Sequence, residues 1–384
     1  MTIDTISEHG EQVRAMCDMA RGLAEKVIAP RAAETDATEE FPWHVVEAYR
    51  EAGLLSLLVP EEYGGAGASV VHETAIAEEL ARVDVSAAII FTSHSLCTEI
   101  VNYMATDEQR RNYLPRAVDG QLIAIGLTES GAGSDAAAIR TSARRASGGY
   151  VLDGTKQYCT NGDVASVILV FAVTSPGKGA RGISVFAVER SNPGLRITRH
   201  EKKMGLHGTT TVEFVLDGCI VPENARLGPE DQGFYGAMFA LERGRVAIAG
   251  VGVGLAQGAM EQAIGYARER QQFGQAIGAF QGVQFILADM AMEIEAARRL
   301  VHHAATLALG DSDSFHLASA QAKCFATDVA MRVTTNAVQV FGGLGYMRGC
   351  PVERMMRDAK ILQIFDGTNQ IMRVLIARRL MGRL

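Results

Sequence analysis

The sequence predicts an α+β chain, mainly helical, with a β-rich middle between two helical regions. Three observations carry this expectation. Apolar residues recur at three- and four-residue spacing from the start to about Asp119. Short β-branched and aromatic runs, separated by turn residues, fill the stretch from about Gly120 to Gly228. Long amphipathic stretches then return from about Gln232 to the end. The expected units are residues 1–119, 120–230 and 231–384, and a chain of 384 residues is long enough to bury a core in each.

In the first region, GEQVRAMCDMARGLAEKVIAPRAAE is helical until Pro30 interrupts it. Glu40 to Leu58 and His72 to Arg82 repeat that character, with PEEYGGAGA between them as a Gly-rich loop. Asp107 is the expected cap of the helix DEQRRNYLPRAV. In the middle region LIAIGL, TSARRA, YVLDGTKQYCT, SVILVFAV, ISVFAVE, LRITRH and TTVEFVLDGCIV read as strands. No helix-length segment lies between them, so a parallel βαβ sheet is not expected. In the last region FQGVQFILADMAMEIEAARRLVHHAATLAL carries apolar residues at 283, 287, 290, 294, 297, 301, 304 and 308, one continuous face for a bundle or a subunit contact. A second helix runs through LASAQAKCFATDVAMRVTTNAVQVF and stops at Gly342-Gly343. Internal repeats and low-complexity tracts are not evident.

Hydrophobic residues make up 48% and charged residues 21%, ordinary for a globular chain and too apolar for disorder. The net charge of −7 argues against a nucleic-acid partner, which needs a basic face, and otherwise serves solubility. Cysteines stand at 17, 97, 159, 219, 324 and 350, without CxxC or a Cys/His cluster. That pattern fits reduced thiols and no metal site. Neither a secretory signal nor a membrane-length apolar run is visible, so the expected location is the cytoplasm.

Taken one at a time, the candidate motifs are ambiguous. LTESGAGSD (127–135) resembles the start of a dinucleotide fingerprint, GxGxxA. Such a fingerprint opens a helix and is followed by an acidic ribose ligand; Asp153 is near the right distance, but Asp153-Gly154 is better read as a hairpin turn. The segment is then a loop whose amides, with the Thr128 and Ser134 hydroxyls, suit a polar ring edge or a phosphate. QYCTNG (157–162) offers a ring and a hydroxyl at Tyr158 and Thr160, with core packing the default for Tyr158. LERGR (241–245) makes Glu242 and Arg245 helical neighbours, by default a solvated ion pair. ERQQFGQ (269–275) and VQVFGGLGYMRG (338–349) read equally well as helix ends followed by Gly turns, and Asp366-Gly367 as a turn.

Order and spacing change the reading. LTESGAGSD, QYCTNG, KMGLHGTTTVEFVLDGCIVP, ARERQQFGQAIGAFQ and VQVFGGLGYMRGCPVERMMRDAKILQIFDGTNQI together resemble the acyl-CoA dehydrogenase family, most closely its short- and medium-chain members. The resemblance implies an N-terminal helical domain, a central β-barrel-like domain and a C-terminal four-helix bundle, usually assembled as a homotetramer. It also implies FAD as cofactor, an acyl-CoA substrate and electron-transferring flavoprotein as acceptor. By motif match, Leu127, Thr128 and Ser134 line the flavin or the thioester end of the substrate. Tyr158 stands beside the isoalloxazine and Thr160 bonds its edge. Arg270, Phe273, Gln281 and the run from Gln339 to Gly343 hold the pyrophosphate and adenosine, partly across a subunit boundary. Thr368 and Gln370 are further FAD contacts. Glu242 and Arg245 match the acidic residue and arginine of the substrate-side helix, where the family usually has Asp first, and Phe365 and Gly367 flank the base.

That base is Asp366. The implied chemistry removes the proton α to the thioester while the β-hydrogen leaves as hydride to the flavin. Most relatives have Glu here, and a second subset carries its Glu at the position of Gly244, which cannot serve. Asp is shorter by one carbon–carbon bond, roughly 1.5 Å, a displacement to which proton abstraction is sensitive. The expected substrate is therefore alicyclic or α-branched, as in cyclohexanecarboxyl-CoA dehydrogenases. Alternatives are a linear short- or medium-chain acyl-CoA, an acyl-carrier-protein thioester, a nitroalkane-oxidase-like flavoprotein, and a homologue that binds acyl-CoA without catalysis. A NAD-dependent Rossmann enzyme, resting on GxGxxA alone, is the rival from another mechanistic class.

Overall fold

The computed structural model describes residues 5–310 and 313–382, so the outer ends of the first and last expected units lie outside the described residues. Helix α1 (Thr5–Leu23) widens into a π turn (Ala24–Ile28) and then tightens into a 3-10 turn (Ala29–Arg31) at Pro30, where the missing N–H breaks the regular ladder. Helices α2 (Ala32–Thr38), α3 (Trp43–Glu51), α4 (Val70–Ala81), α5 (Val85–Met104) and α6 (Asp107–Val118) follow. Helix α3 is shorter than the apolar spacing suggested, because the chain turns at Gly53 (φ 70°) and continues as successive turns. Thr106, not Asp107, caps α6: Thr106 Oγ1 accepts from the Gln109 amide at 3.3 Å, and the Thr106 amide donates to Gln109 Oε1 at 2.9 Å. This reciprocal capping box needs Gln three residues after the cap, and only Thr106 has it.

The middle of the chain forms one sheet of eight strands: β1 (Ile123–Gly126), β2 (Ser142–Ala146), β3 (Gly149–Thr160), β4 (Val167–Val173), β5 (Ile183–Glu189), β6 (Leu195–His200), β7 (Thr211–Pro222) and β8 (Arg226–Leu227). The order is β6-β7-β3-β2-β4-β5-β8, with β1 on β4. Pairing is antiparallel except for β1 with β4 and a single β2–β4 bridge, in keeping with the absence of helical crossovers. Along β4, Val167, Leu169 and Phe171 face one apolar core while Ile168, Val170 and Ala172 face another. The strand is therefore buried on both sides and reads as a continuous apolar run.

Asp153-Gly154 is not a hairpin turn. It lies inside β3 as a bulge, with the register against β7 shifting between Leu152 and Gly154. Gly154 has φ 155°, and a Cβ there would sit 2.5 Å from Thr141 Oγ1, so the glycine serves close strand approach. The tight connection between β2 and β3 falls at Ser147-Gly148, whose glycine has φ 80°.

Helix α7 (Gly233–Glu269) spans 37 residues and packs on α4 and α5; Gly250, Gly254 and Gly258 admit the backbone of Thr74, Glu78 and Arg82 on the α4 side. A two-stranded ribbon, β9 (Gln271–Gln272) and β10 (Gln275–Ala276), leads into α8 (Gln281–Leu307). Helices α9 (Asp313–Phe341), α10 (Pro351–Leu362) and α11 (Asn369–Met381) complete the bundle, with α9 contacting α7, α8, α10 and α11. The predicted face of α8 buries Met290, Ile294, Ala297, Val301 and Ala304 in the main core. Phe341 ends α9 and Gly342 follows with φ 63°, the left-handed residue that the Gly-Gly pair predicts.

Candidate active site

Asp366 occupies the turn between α10 and α11 in a left-handed conformation, φ 53°, followed by Gly367 at φ 93°. Two cations hold this turn. From α7, Arg245 Nε donates to the Asp366 carbonyl at 3.0 Å. From α9, Lys323 Nζ donates to the Gly367 carbonyl at 2.7 Å and to Asn369 Oδ1 at 3.1 Å. Asn369 is itself buried, and its amide donates to Thr327 Oγ1 at 2.9 Å, Asp328 Oδ1 at 2.7 Å and the Cys324 carbonyl at 3.2 Å. Gln363 and Arg373 close on the same Asp328 carboxylate at 2.6 and 2.7 Å. A non-glycine residue at positive φ is strained, and here the surroundings over-determine it.

The electrostatics follow from that packing. Burial pushes the Asp366 carboxyl above the usual carboxylate range, and the charges of Lys323 and Arg245 oppose the shift. Burial pulls Lys323 down to about 8, with Asp366 the largest charge acting to keep it protonated. Among the described residues no protein donor bonds the Asp366 carboxylate. Its oxygens are free to take a proton, which is the arrangement a general base needs. Position 244, the other base position that the resemblance implies, carries no functional group, and a Cβ on Gly244 would sit 3.2 Å from Leu96 Cδ1, a tight approach to the tip of a side chain.

Arg245 and Glu242 are not the solvated pair that helical spacing alone suggests. Arg245 is buried against the Asp366 turn. Glu242 Oε2 lies 2.7 Å from Nδ1 of His316 on α9, and its carbonyl accepts from Ser319 Oγ at 2.6 Å. Phe365 packs against the main core, and Thr368 caps α11 by accepting from the Ile371 amide at 3.1 Å. Gln370 follows, exposed, in the first turn of α11.

A second group lies on the β domain. The loop 127–135 is clipped to β3: the Gln157 amide donates to the Thr128 carbonyl at 2.8 Å, and Lys156 Nζ to the Leu127 carbonyl at 3.0 Å. Lys156, fully buried, also bonds Glu129 Oε1 at 2.8 Å, and Glu129 accepts from Thr141 and the Arg140 amide. Tyr158 is not core. It sits at φ 56° on the second bulge of β3, and its ring is 61% exposed. The extra residue turns the side chain out of the sheet, as bulges near functional sites do. The loop opens only a three-residue turn (Ala136–Ala138) beside a largely antiparallel sheet, so the Rossmann reading fails.

The third group gathers at one end of the bundle. Arg270 and Phe273 belong to the β9–β10 ribbon, Gln281 opens α8, and Gln339 to Gly343 end α9. Stacking of Tyr266 on Phe341, with centroids 4.2 Å apart, ties the end of α7 to the end of α9. Phe273 is 94% exposed at φ 50°, a ribbon tip with no cover from its own chain beyond an edge contact with Phe280. Among the described residues no hydrogen bond or ring contact joins the three groups to one another.

The donor sets fit a flavin dinucleotide. The hydroxyls of Thr128, Ser134 and Thr160 make no hydrogen bond with the protein among the described residues, and Tyr158 offers a bare ring. At the bundle end Arg270 has no ion pair among the described residues, and a Cβ on Gly342 or Gly343 would meet nothing within 4 Å. A guanidinium without an ion pair and open glycine backbone are each suited to a pyrophosphate. Lys323 and Asn369 were missed in the sequence because a lysine in an Ala-rich helix reads as a solvent-facing residue.

Comparison with known proteins gives the family. Residues 10–121, 124–219 and 231–381 match the models of the acyl-CoA dehydrogenase N-terminal, middle and C-terminal domains. The chain is 44% identical over 374 residues to an acyl-CoA dehydrogenase of Bacillus subtilis, covering 97% of this chain and 98% of that one. It is 43% identical over 380 residues to the cyclohex-1-ene-1-carbonyl-CoA dehydrogenase of Syntrophus aciditrophicus, covering 98% and 92%. The solved butyryl-CoA dehydrogenase of Megasphaera elsdenii superposes with a TM-score of 0.93 at 39% identity, covering 96% and 98%. Members of this family are flavoproteins. The chain belongs to the acyl-CoA dehydrogenase family, oxidoreductases that act on CH–CH bonds.

Proposed function

We propose that this protein carries out the FAD-dependent α,β-dehydrogenation of an acyl-CoA thioester to the 2-enoyl-CoA, with Asp366 as the α-proton base. The observation that carries the reading is the Asp366 carboxylate itself: without a hydrogen-bond donor among the described residues, raised in basicity by burial, and held on a turn clamped by Arg245 and Lys323. Thr128, Ser134, Tyr158 and Thr160 would receive the flavin ring, and Arg270, Phe273, Gln281 and Gln339 to Gly343 the rest of the cofactor, in part from a neighbouring subunit. FAD, when bound, accepts the β-hydrogen with its two electrons. Asp366 takes the α-proton, and Arg245 keeps its backbone in place. Glu242 would meet the substrate's pantetheine side. Electron-transferring flavoprotein is the expected acceptor, a homotetramer the expected assembly and the cytoplasm the expected location. Among the described residues no helix is long and apolar enough to cross a membrane.

The substrate we propose is alicyclic or α-branched, such as cyclohexanecarboxyl-CoA. Two observations support it: the short base, and the relative at 43% identity named for a cyclohexene carbonyl thioester. A linear short-chain thioester is the second reading, favoured by the fold match to butyryl-CoA dehydrogenase. Asp366→Asn tests the base. The variant is expected to bind FAD at wild-type stoichiometry and to lose bleaching of flavin absorbance in an anaerobic acyl-CoA titration by more than about a thousandfold in rate. Bleaching at the wild-type rate would refute the assignment.

A further inference from the structure

Lys323 takes no part in the reaction as drawn, yet its placement is costly. It lies in the interior of α9, is fully buried, and forms no ion pair among the described residues. An ammonium removed from water loses several kcal/mol of solvation unless charge or good hydrogen bonds compensate. Its two acceptors, the Gly367 carbonyl and Asn369 Oδ1, are both neutral. Both also belong to the four-residue stretch that begins with Asp366.

We propose that Lys323 is a positioning residue for the Asp366 base: from α9 it locks the Asp366-Gly367 turn against the grip of Arg245 from α7, and it sets a positive charge near the carboxylate without hydrogen-bonding it. The inference rests on Asp366 being the base. A direct hydrogen bond would occupy an oxygen that must receive the substrate proton, whereas a charge acting through space leaves both oxygens open. Arg245 holds the carbonyl of the peptide that follows the base, and Lys323 holds that of the next peptide, so the two bracket Gly367 and with it the direction of the carboxylate.

The groups around Asp366 come from three helices. Arg245 on α7 faces it directly, and Glu242 acts on Arg245. Cys97 on α5 senses Asp366, but burial pushes that thiol up and keeps it neutral. On α9, Cys324 and Asp328 act on Lys323. Burial raises the Asp366 carboxyl, and Lys323, at about 8, remains charged below neutrality and opposes that rise. Removing its charge leaves burial opposed only by Arg245, so the carboxyl must rise and the acid limb of proton abstraction must move to higher pH.

Phenylacetyl-CoA separates proton abstraction from oxidation, since it has α-hydrogens and no β-hydrogen. The test follows exchange of its α-protons with D2O by NMR, on FAD-loaded wild type, Lys323→Met and Lys323→Arg, across pH. Lys323→Met is expected to shift the acid limb upward by about one unit and to slow exchange on that limb by about tenfold. Lys323→Arg should keep the wild-type limb with a lower plateau, since it restores charge but not geometry. If Lys323→Met does not fold, Lys323→Gln retains a donor for Gly367 without charge and serves the same comparison. An unmoved limb in the uncharged variant, whatever its thermal stability, would overturn the proposal and make Lys323 structural only. Asp366→Asn is the control: exchange that survives in it sinks the base assignment itself, not the role of Lys323.

Discussion

Asp366 joins two requirements that conflict in most proteins, a carboxylate in dense surroundings and an unbonded one. Burial raises its pKa while Lys323 and Arg245 restrain the rise. The sign of the pH effect follows: the base works when ionised, so flavin reduction should fall as pH drops through a midpoint above the usual carboxylate range. Stopped-flow reduction across pH 5 to 8 checks this, and a flat profile speaks against it. Length supplies a second prediction. Asp366→Glu extends the base by roughly 1.5 Å, and the ratio of kcat/KM for cyclohexanecarboxyl-CoA over butyryl-CoA should fall by about tenfold or more. A ratio that stays constant would remove the link between the short base and a branched α-carbon. The candidate base was legible in IFDGTNQI, because the motif order singled it out. Its setting was not: the contacts of Lys323 and Asn369 are made across helices, and no local spacing encodes them.

Elements carry the cofactor side. Strand β3 is a continuous antiparallel strand broken by two bulges, and each has a task. The first admits Thr141 against Gly154; the second turns Tyr158 outward. The default reading of Tyr158 is core packing, which the bulge defeats, since a bulge changes the face of a residue without altering composition. Likewise Asp153-Gly154 has the composition of a hairpin turn, and only strand pairing shows it to be internal. The loop 127–135 depends on the buried Lys156–Glu129 pair. Lys156→Met leaves Glu129 without its charge partner and is expected to cost roughly 3–5 kcal/mol, with early release of FAD on heating. Thermal unfolding followed by flavin fluorescence reads both; a wild-type transition would show that the loop does not need this pair.

At the scale of the molecule, helical regions precede and follow a sheet domain along the chain, and the third group of candidate residues is left largely exposed. Phe273, Phe285, Met292, Tyr346 and Met347 are exposed on the ribbon, on α8 and after α9. A ring such as Phe273, bare on its own chain, fits a cofactor site completed by a neighbouring subunit. Sedimentation of the FAD-loaded protein should give a tetramer, and Phe273→Ser should release FAD or dissociate the assembly; a monomer with tightly bound FAD would contradict this arrangement. The helical–β–helical order was readable from periodicity, because amphipathic helices and short strands differ in period. Assembly was not, because periodicity marks an apolar face and not its partner. The most direct test of the whole account is anaerobic mixing of the FAD-loaded protein with cyclohexanecarboxyl-CoA, with flavin absorbance followed and the thioester product identified by mass. The account predicts rapid bleaching and a product lighter by two hydrogens in the wild type, and neither in Asp366→Asn. Bleaching that persists in the variant, or a wild type that no acyl-CoA thioester bleaches, would contradict it.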